Sequence, residues 1–282
     1  MELPDRGTTF VTDTPGPEGA PTLLLLHAVG CTGLLTWFPA IPELAQRFRV
    51  VTLDQRWHGQ GIRSEEFSLY DCADDAAALI QTLGLGDVIV AGYSMGSIVA
   101  QRTWRQHPEL VSGLVLGATT DRFRSSPSEM VFFQGMGLSM AALRGLSRSR
   151  MAMTAARSAA RALDIDNPAD LHDWALAEFR STSPWAVAQA VVALGRHHST
   201  PWLRRVDVPT SVVVMSKDKV IAPERQRAVA MRIPGATMHE ADCGHAGCVL
   251  SADVFVPALL EACASTASRV RDRQRREHRL EL

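Results

Sequence analysis

The stretch that most restricts the fold of this chain is residues 88–100, where a serine stands between two glycines. An apolar run rich in β-branched residues leads into Gly92-Tyr93-Ser94-Met95-Gly96, and helical spacing follows. This order is typical of a strand, a sharp turn and a helix, with Ser94 at the apex. So tight a turn strains its central residue, and side chains two positions away on either side would collide. Glycine at both places removes that collision, so we expect the Ser94 hydroxyl to stand clear of the backbone.

Amino-acid composition removes several classes of function for a chain of 282 residues. Hydrophobic residues make up 46% of the chain and charged residues 21%, as in an ordinary globular domain. A formal net charge of −1 gives no electrostatic basis for nucleic acid or an anionic membrane as the main partner. The basic segment 269–279 is interspersed with acids, so we interpret it as a solvated helix end.

Neither the cysteines nor the first residues indicate secretion. The five cysteines are odd in number and lack paired metal-ligand spacing, which argues against a disulfide framework and against a metal site. The start of the chain lacks a basic segment followed by an apolar core. The longest apolar run near it, Leu23 to Leu26, is too short to span a bilayer. We therefore expect a cytoplasmic protein without stable membrane insertion.

Short apolar strands alternate with amphipathic helices along most of the chain. This alternation predicts an α/β fold with a doubly wound, mostly parallel sheet of about eight strands. Helical spacing covers residues 37–48, and Ser68 followed by Asp71 predicts the start of a further helix.

The alternation of strands and helices stops after Asp121. Residues 127–198 show helical periodicity without a strand-like segment. We therefore predict a core made of residues 1–123 and 200–282, with residues 124–199 forming a helical cap over the carboxyl edge of the sheet.

An acid and a base follow two later strands of the predicted sheet. A serine hydroxyl is a weak nucleophile near neutral pH and needs a base, which in turn needs a group to orient it. Asp218 lies in the loop after the strand Thr210 to Met215, and His245 follows the last strand. Groups at the carboxyl ends of parallel strands collect in one crevice. The chain order Ser94, Asp218, His245 is the order expected for one particular fold.

Over essentially its whole length the sequence resembles the α/β-hydrolase-fold serine hydrolases. It is similar to actinobacterial hydrolases of unassigned substrate. The likeness rests on several separate motifs in the expected order: His27, Asp54-x-Arg56-x-His58-Gly59-x-Gly61, Gly92-Tyr93-Ser94-Met95-Gly96, Asp218 with Pro223, and Gly244-His245.

The resemblance implies a role for each matching residue. Ser94 would be the nucleophile and His245 the general base and then the general acid, while Asp218 would hold the imidazole through its other nitrogen. The backbone N–H groups of Val29 and Met95 would bind the oxyanion.

Two positions depart from the family pattern. Ala28 stands where the family usually has glycine after the histidine of the oxyanion loop. If that position needs a positive φ, alanine costs on the order of 1 kcal/mol, or the loop takes another path. Trp57 replaces a second customary glycine, between Arg56 and His58, and is expected to narrow the pocket or to pack under the cap. Ala28, Trp57 and Tyr93 are the predicted substrate-pocket residues.

Each candidate also has a structural interpretation. Asp218 could merely cap the helix that starts near Pro223. Asp121, at the end of the strand before the insertion, is the alternative acid and otherwise a helix cap. The other candidates are interpreted as structural: a brace for the oxyanion loop (His27), a loop network (Asp54, Arg56 and His58), solvated side chains (His197 and His198) and buried fillers beside the base (Cys243 and Cys248).

The sequence predicts an enzyme that cleaves a carboxylic ester of a small to medium-sized hydrophobic substrate through an acyl-serine intermediate. The same three residues could instead serve carbon–carbon bond hydrolysis, acyl transfer or a lyase step. A non-catalytic ligand-binding member of the fold is a further alternative. No nucleotide-binding motif is present, so no cofactor is expected. The expected partner is a small-molecule substrate, and a homodimer is left open.

Overall fold

The strands of the molecule form one large sheet and one small one. The structure, a computed structural model, describes residues 1–123 and 168–281. Within them the strands are Glu2–Leu3 (β1), Gly7–Thr8 (β2), Val11–Thr14 (β3), Thr22–Leu26 (β4), Arg49–Leu53 (β5), Val88–Tyr93 (β6), Val111–Gly117 (β7), Thr210–Met215 (β8) and Thr237–Ala241 (β9).

Seven of these strands form the main sheet in the order β3-β5-β4-β6-β7-β8-β9. β3 pairs antiparallel with β5, and the other neighbours are parallel. β1 and β2 form a separate antiparallel pair. The predicted doubly wound, mostly parallel sheet is confirmed, with seven strands in the described residues where about eight were predicted.

Helices lie on both faces of the main sheet. They are Gly33–Trp37 (α1), Ile41–Leu44 (α2), Leu69–Thr82 (α3), Met95–Gln106 (α4), Pro168–Arg180 (α5), Pro184–Gly195 (α6), Pro223–Arg232 (α7), Gly247–Leu250 (α8) and Ala252–Glu281 (α9). Ser68 caps α3 as predicted, since its hydroxyl accepts from the backbone N–H of Tyr70 and Asp71. The single helix predicted over residues 37–48 is wrong: α1 and α2 are separate because Pro39 and Pro42 cannot sit in a helix interior.

Alternate residues of each central strand enter two different cores. Leu24 of β4 and Val90 of β6 pack with α3 and α4, whereas Leu23 and Ile89 pack with α1, α2 and α9. Burial on both faces explains why these strands are apolar throughout rather than alternating. The same burial holds β6 in place up to its carboxyl end, directly before Ser94.

Part of the predicted cap lies outside the described residues. Residues 124–167 are not among the described residues, so the cap boundaries at 124 and 199 stay a prediction. The described remainder consists of α5 and α6. Trp174 of α5 packs edge-on against Phe38, with ring centroids 5.5 Å apart, and this contact places α5 next to the end of α1.

Candidate active site

Ser94 occupies a strained turn at the end of β6. Its φ is 52° and its ψ is −115°, a backbone conformation that L-residues other than glycine rarely adopt. A Cβ on Gly92 would overlap the Gly96 carbonyl, and a Cβ on Gly96 would overlap the Leu26 carbonyl. Glycine is therefore required at both positions, the second because α4 passes against the end of β4.

Ser94, His245 and Asp218 come together from three separate loops at this edge of the sheet. Ser94 Oγ lies 2.9 Å from His245 Nε2, and His245 Nδ1 lies 2.7 Å from Asp218 Oδ2. Since a carboxylate only accepts hydrogen bonds, Nδ1 carries the proton and Nε2 is free to accept the one from Ser94. His245 Nε2 is therefore placed to remove the proton of the Ser94 hydroxyl.

Asp218 is held in place by the loop that carries it. Its Oδ1 accepts from the backbone N–H groups of Val220 at 2.8 Å and Ile221 at 3.0 Å. α7 begins after Ala222, which has no side-chain cap, so Asp218 is not the N-cap of that helix. The carboxylate instead orients His245.

The alternative acid, Asp121, makes contacts elsewhere. Its Oδ2 accepts from the Thr200 hydroxyl at 2.5 Å and lies 3.8 Å from Arg232 Nε. Because Asp218 occupies Nδ1 of His245, the structure does not bring Asp121 into the position of the orienting carboxylate.

The loop of residues 27–33, which is the predicted oxyanion loop, is held by the buried His27. His27 Nδ1 donates to the Ala28 carbonyl at 2.8 Å, and its Nε2 accepts from the Gln55 backbone N–H at 2.8 Å. Burial lowers the pKa of His27 to about 4, so the ring is neutral near pH 7 and keeps this tautomer. Val29 is buried within the loop, and Met95 begins α4, where the first backbone N–H groups have no partner within the helix.

Family membership follows from the match of residues 21–252, about four fifths of the chain, to a family model described as alpha/beta hydrolase fold. This chain belongs to the α/β-hydrolase family. The resemblance stated from the sequence is confirmed.

Several known relatives of this α/β hydrolase are similar over different lengths. BpoC from Mycobacterium tuberculosis, which carries the name non-heme bromoperoxidase, is 28% identical over 246 residues, or 82% of this chain and 89% of its own. Its crystal structure superposes with a TM-score of 0.68 over 92% of this chain and 96% of that chain. 3-oxoadipate enol-lactonase 1 from Acinetobacter baylyi is 32% identical over 95 residues, covering 34% of this chain and 35% of its own.

The two departures from the family pattern have different consequences in this α/β hydrolase. Ala28 is not among the described non-glycine residues with positive φ, so alanine imposes no backbone strain there. Trp57 does have a positive φ, of 67°, which accounts for the customary glycine. Its indole N–H donates to Ser64, and its ring packs edge-on against Phe67. The indole therefore packs on the neighbouring loop, and these contacts do not bring it to the serine as a pocket wall.

Tyr93 lies behind the reacting groups rather than in front of them. The residue is 1% exposed, and its ring packs edge-on against Trp37 and Phe255. Its hydroxyl donates to the His245 backbone carbonyl at 2.7 Å. The prediction of Tyr93 as a pocket residue is therefore wrong. Tyr93 instead supports the loop that carries His245.

The network expected around Asp54 is structural, as predicted. Asp54 accepts from the backbone N–H groups of Gly33 and Gln60, both at 2.9 Å, and Arg56 forms a two-point pair with Asp75. Burial raises the pKa of Asp54. His58 is also buried, which lowers its pKa to about 3, with the nearby His27 as a second cause.

Two residues that the sequence did not single out touch this arrangement. Gln226 of α7 donates to Asp218 Oδ2 at 3.0 Å. Glu178 of α5 accepts from the Thr32 hydroxyl at 2.5 Å, and burial raises the pKa of Glu178. Gln226 lies one helical turn after Pro223, and that spacing from the acid loop was the only available signal.

The two cysteines beside His245 are buried as predicted, whereas His197 is buried against the prediction. Cys243 and Cys248 are buried, and burial raises the pKa of Cys243 to about 11, so the interpretation as neutral fillers holds. His197 was expected to be solvated but is 2% exposed. Burial lowers its pKa to about 3.

Residues 1–123 and 168–281 contain neither a candidate metal cluster nor a candidate membrane span. There, no group of three or more His, Cys, Asp or Glu side chains is arranged to hold a metal ion. None of the helices in those ranges has both the length and the apolarity needed to cross a bilayer.

Proposed function

We propose that this protein is a serine hydrolase that cleaves carboxylic esters of small to medium-sized hydrophobic substrates. The observation that carries the proposal is the chain of short contacts from Ser94 Oγ through His245 to Asp218, 2.9 Å and 2.7 Å long. These contacts provide a nucleophile, a base and an orienting carboxylate in the arrangement that acyl transfer needs.

The reaction proceeds in two halves. Ser94 Oγ attacks the ester carbonyl carbon while His245 Nε2 takes the hydroxyl proton. The N–H groups of Met95 and Val29 stabilise the oxyanion that forms. The C–O bond to the alcohol then breaks, and His245 returns its proton to the leaving alcohol. Water next attacks the acyl-Ser94 ester with His245 as base, which releases the acid and restores the serine.

A lactone, which is a cyclic ester, is the second candidate substrate class. The similarity to a named enol-lactonase over 95 residues favours it. Ring opening uses the same two halves, except that the leaving alcohol stays attached to the acyl group.

A substrate panel tests the proposal. p-Nitrophenyl esters of graded acyl length and a set of simple lactones are incubated with the wild type and with Ser94→Ala. We expect turnover of at least one ester, lost by about 10⁴-fold in the variant. Retention of wild-type activity by Ser94→Ala on every substrate would contradict the proposal.

The same panel separates the other reactions. Adding a competing alcohol and analysing products distinguishes hydrolysis from acyl transfer. Carbon–carbon bond hydrolysis or a lyase step would give no turnover of esters and lactones. A ligand-binding member of the fold would bind such compounds without consuming them.

A further inference from the structure

The side chain of Gln226 is completely buried between the acid loop and β8. Its Oε1 accepts from the Met215 backbone N–H at 3.0 Å, and its Nε2 donates to the Ile221 carbonyl at 2.7 Å and to Asp218 Oδ2 at 3.0 Å. Since a backbone N–H can only donate, the oxygen of the amide must face Met215. The nitrogen must therefore face Asp218, and the orientation of the amide is fixed.

From the described residues Asp218 thus receives four hydrogen bonds, two on each oxygen. Backbone N–H groups occupy Oδ1, whereas His245 Nδ1 and Gln226 Nε2 share Oδ2. The side chain of Asp218 is fully buried. Among residues 1–123 and 168–281, no Lys or Arg forms an ion pair with it. Neutral donors therefore stabilise its charge, and within the described ranges Gln226 is the one side-chain donor other than His245 itself.

We propose that Gln226 is a positioning residue, which acts through Asp218 to set the orientation of His245 and the pH at which His245 becomes a base. Each donor to Oδ2 draws negative charge from that oxygen. Without Gln226, the oxygen would interact more strongly with the protonated imidazole. His245 would then stay protonated to a higher pH. The kinetic part of this inference rests on the proposed function, but the titration of His245 does not.

The other titratable groups around the pair do not compete for this role. Tyr93 from β6 and Cys243 from the loop after β9 lie near Asp218, and Cys248 from α8 lies near Tyr93 and Cys243. Burial raises the pKa of each. They therefore remain neutral near pH 7. Lys217 and Asp242 lie at the surface and pair with each other at 2.7 Å.

The test compares Gln226→Met with Gln101→Met. Gln101 is equally buried and donates to the Thr119 hydroxyl and the Thr120 carbonyl, so it loses similar bonds away from Asp218. The imidazole titration of His245 is followed by NMR in the full chain. We expect the midpoint to rise by about half a pH unit to one unit in Gln226→Met and to stay unchanged in Gln101→Met.

Kinetics provide the second measurement on the same variants. With an ester substrate, the acidic limb of the kcat/KM profile should move to higher pH in Gln226→Met. Its kcat should fall by about tenfold while KM changes less than about twofold. If both variants lose thermal stability equally and the His245 midpoint does not move, Gln226 is merely structural. A midpoint that moves in a protein without esterase activity would support Gln226 and refute the proposed function.

A measurement on the wild type covers the case in which Gln226→Met does not fold. The side-chain amide signals of Gln226 are followed through the His245 titration. Because both groups share Oδ2, we expect those signals to shift with the same midpoint as the imidazole. Amide signals that stay constant through the titration would overturn the proposal.

Discussion

The two sides of Ser94 in the proposed mechanism are held in different ways. The base side consists of His245 and Asp218, and the oxyanion side is the loop of residues 27–33. On the base side, buried core residues fix the reacting groups: Asp218 has four donors, and the His245 carbonyl accepts from Tyr93. On the oxyanion side, the loop of residues 27–33 depends on neutral buried histidines and on contacts with α5. The contacts that hold Asp218 and His245 therefore come from the core, whereas the loop of residues 27–33 also depends on α5.

The greatest loss of kcat is expected at one of the two carboxylates that follow strands β7 and β8, Asp218, and not at the other, Asp121. Asp218→Asn removes the orienting carboxylate and should lower kcat by about 10³ to 10⁴-fold. Asp121→Asn disturbs contacts with Thr200 and Arg232 and should change kcat by less than about threefold. Steady-state ester hydrolysis, with melting temperatures to check folding, measures both. Equal losses in the two variants would remove the distinction between these acids.

Acid should destabilise the fold through His27 and His58, the two buried histidines beside the loop of residues 27–33. His27 and His58 have pKa values of about 4 and 3 when folded, below the value of about 6.5 expected when unfolded. The unfolded chain therefore binds more protons between these values. Stability is full above pH 6.5 and falls as the pH drops. At pH 5 each histidine should cost about 2 kcal/mol of unfolding free energy.

Urea unfolding at pH 7 and pH 5 measures this loss. His58→Asn keeps a donor near the Arg56 carbonyl and removes the titration, so it should recover about 2 kcal/mol of the difference. His278→Asn, at an exposed position, is the matched control and should recover nothing. Identical pH dependence in wild type and His58→Asn would contradict the assignment.

A smaller loss of kcat is expected when Tyr93 no longer supports the backbone of His245. Tyr93→Phe removes the hydrogen bond to the His245 carbonyl and keeps the ring packing, so kcat should fall by about tenfold. KM should stay within about twofold because the hydroxyl does not face the substrate. Stopped-flow or steady-state kinetics measures the split, and a rise in KM with unchanged kcat would place Tyr93 on the substrate side after all.

The smallest effect should come from the contact between α5 and the oxyanion loop. Glu178→Ala removes the acceptor for the Thr32 hydroxyl, so α5 should hold the loop less firmly. We expect KM to rise by about three- to fivefold with little change in kcat, as for loss of uniform binding. Asp173→Ala, at an exposed position of the same helix, is the control. A fall in kcat without a change in KM would show that α5 acts on the base side.

Local patterns predicted the parts of the site that depend on neighbouring residues. The glycines around Ser94 and the N-cap of α3 at Ser68 follow from steric and hydrogen-bonding rules within a few positions. The order of Ser94, Asp218 and His245 along the chain predicted their convergence because parallel strands end at one edge of the sheet.

Features that depend on loop paths and tertiary contacts could not be predicted in this way. Both departures, Ala28 and Trp57, were visible in the sequence, but only the path of each loop decides which one needs a positive φ. The Gly-x-Ser-x-Gly pattern leaves the direction of the Tyr93 ring open. Apart from its spacing from the acid loop, nothing local distinguishes Gln226 from other helical glutamines, since its partners are set by the packing of α7 on β8.

In the proposed mechanism His245 activates Ser94 as a nucleophile. A fluorophosphonate probe, incubated with wild type and with His245→Ala, tests it directly when the adducts are located by peptide mass spectrometry. We expect one adduct, on Ser94, that forms rapidly in the wild type and at least about a hundredfold more slowly in His245→Ala. Equal labelling of the two proteins, or labelling of a different serine, would contradict it.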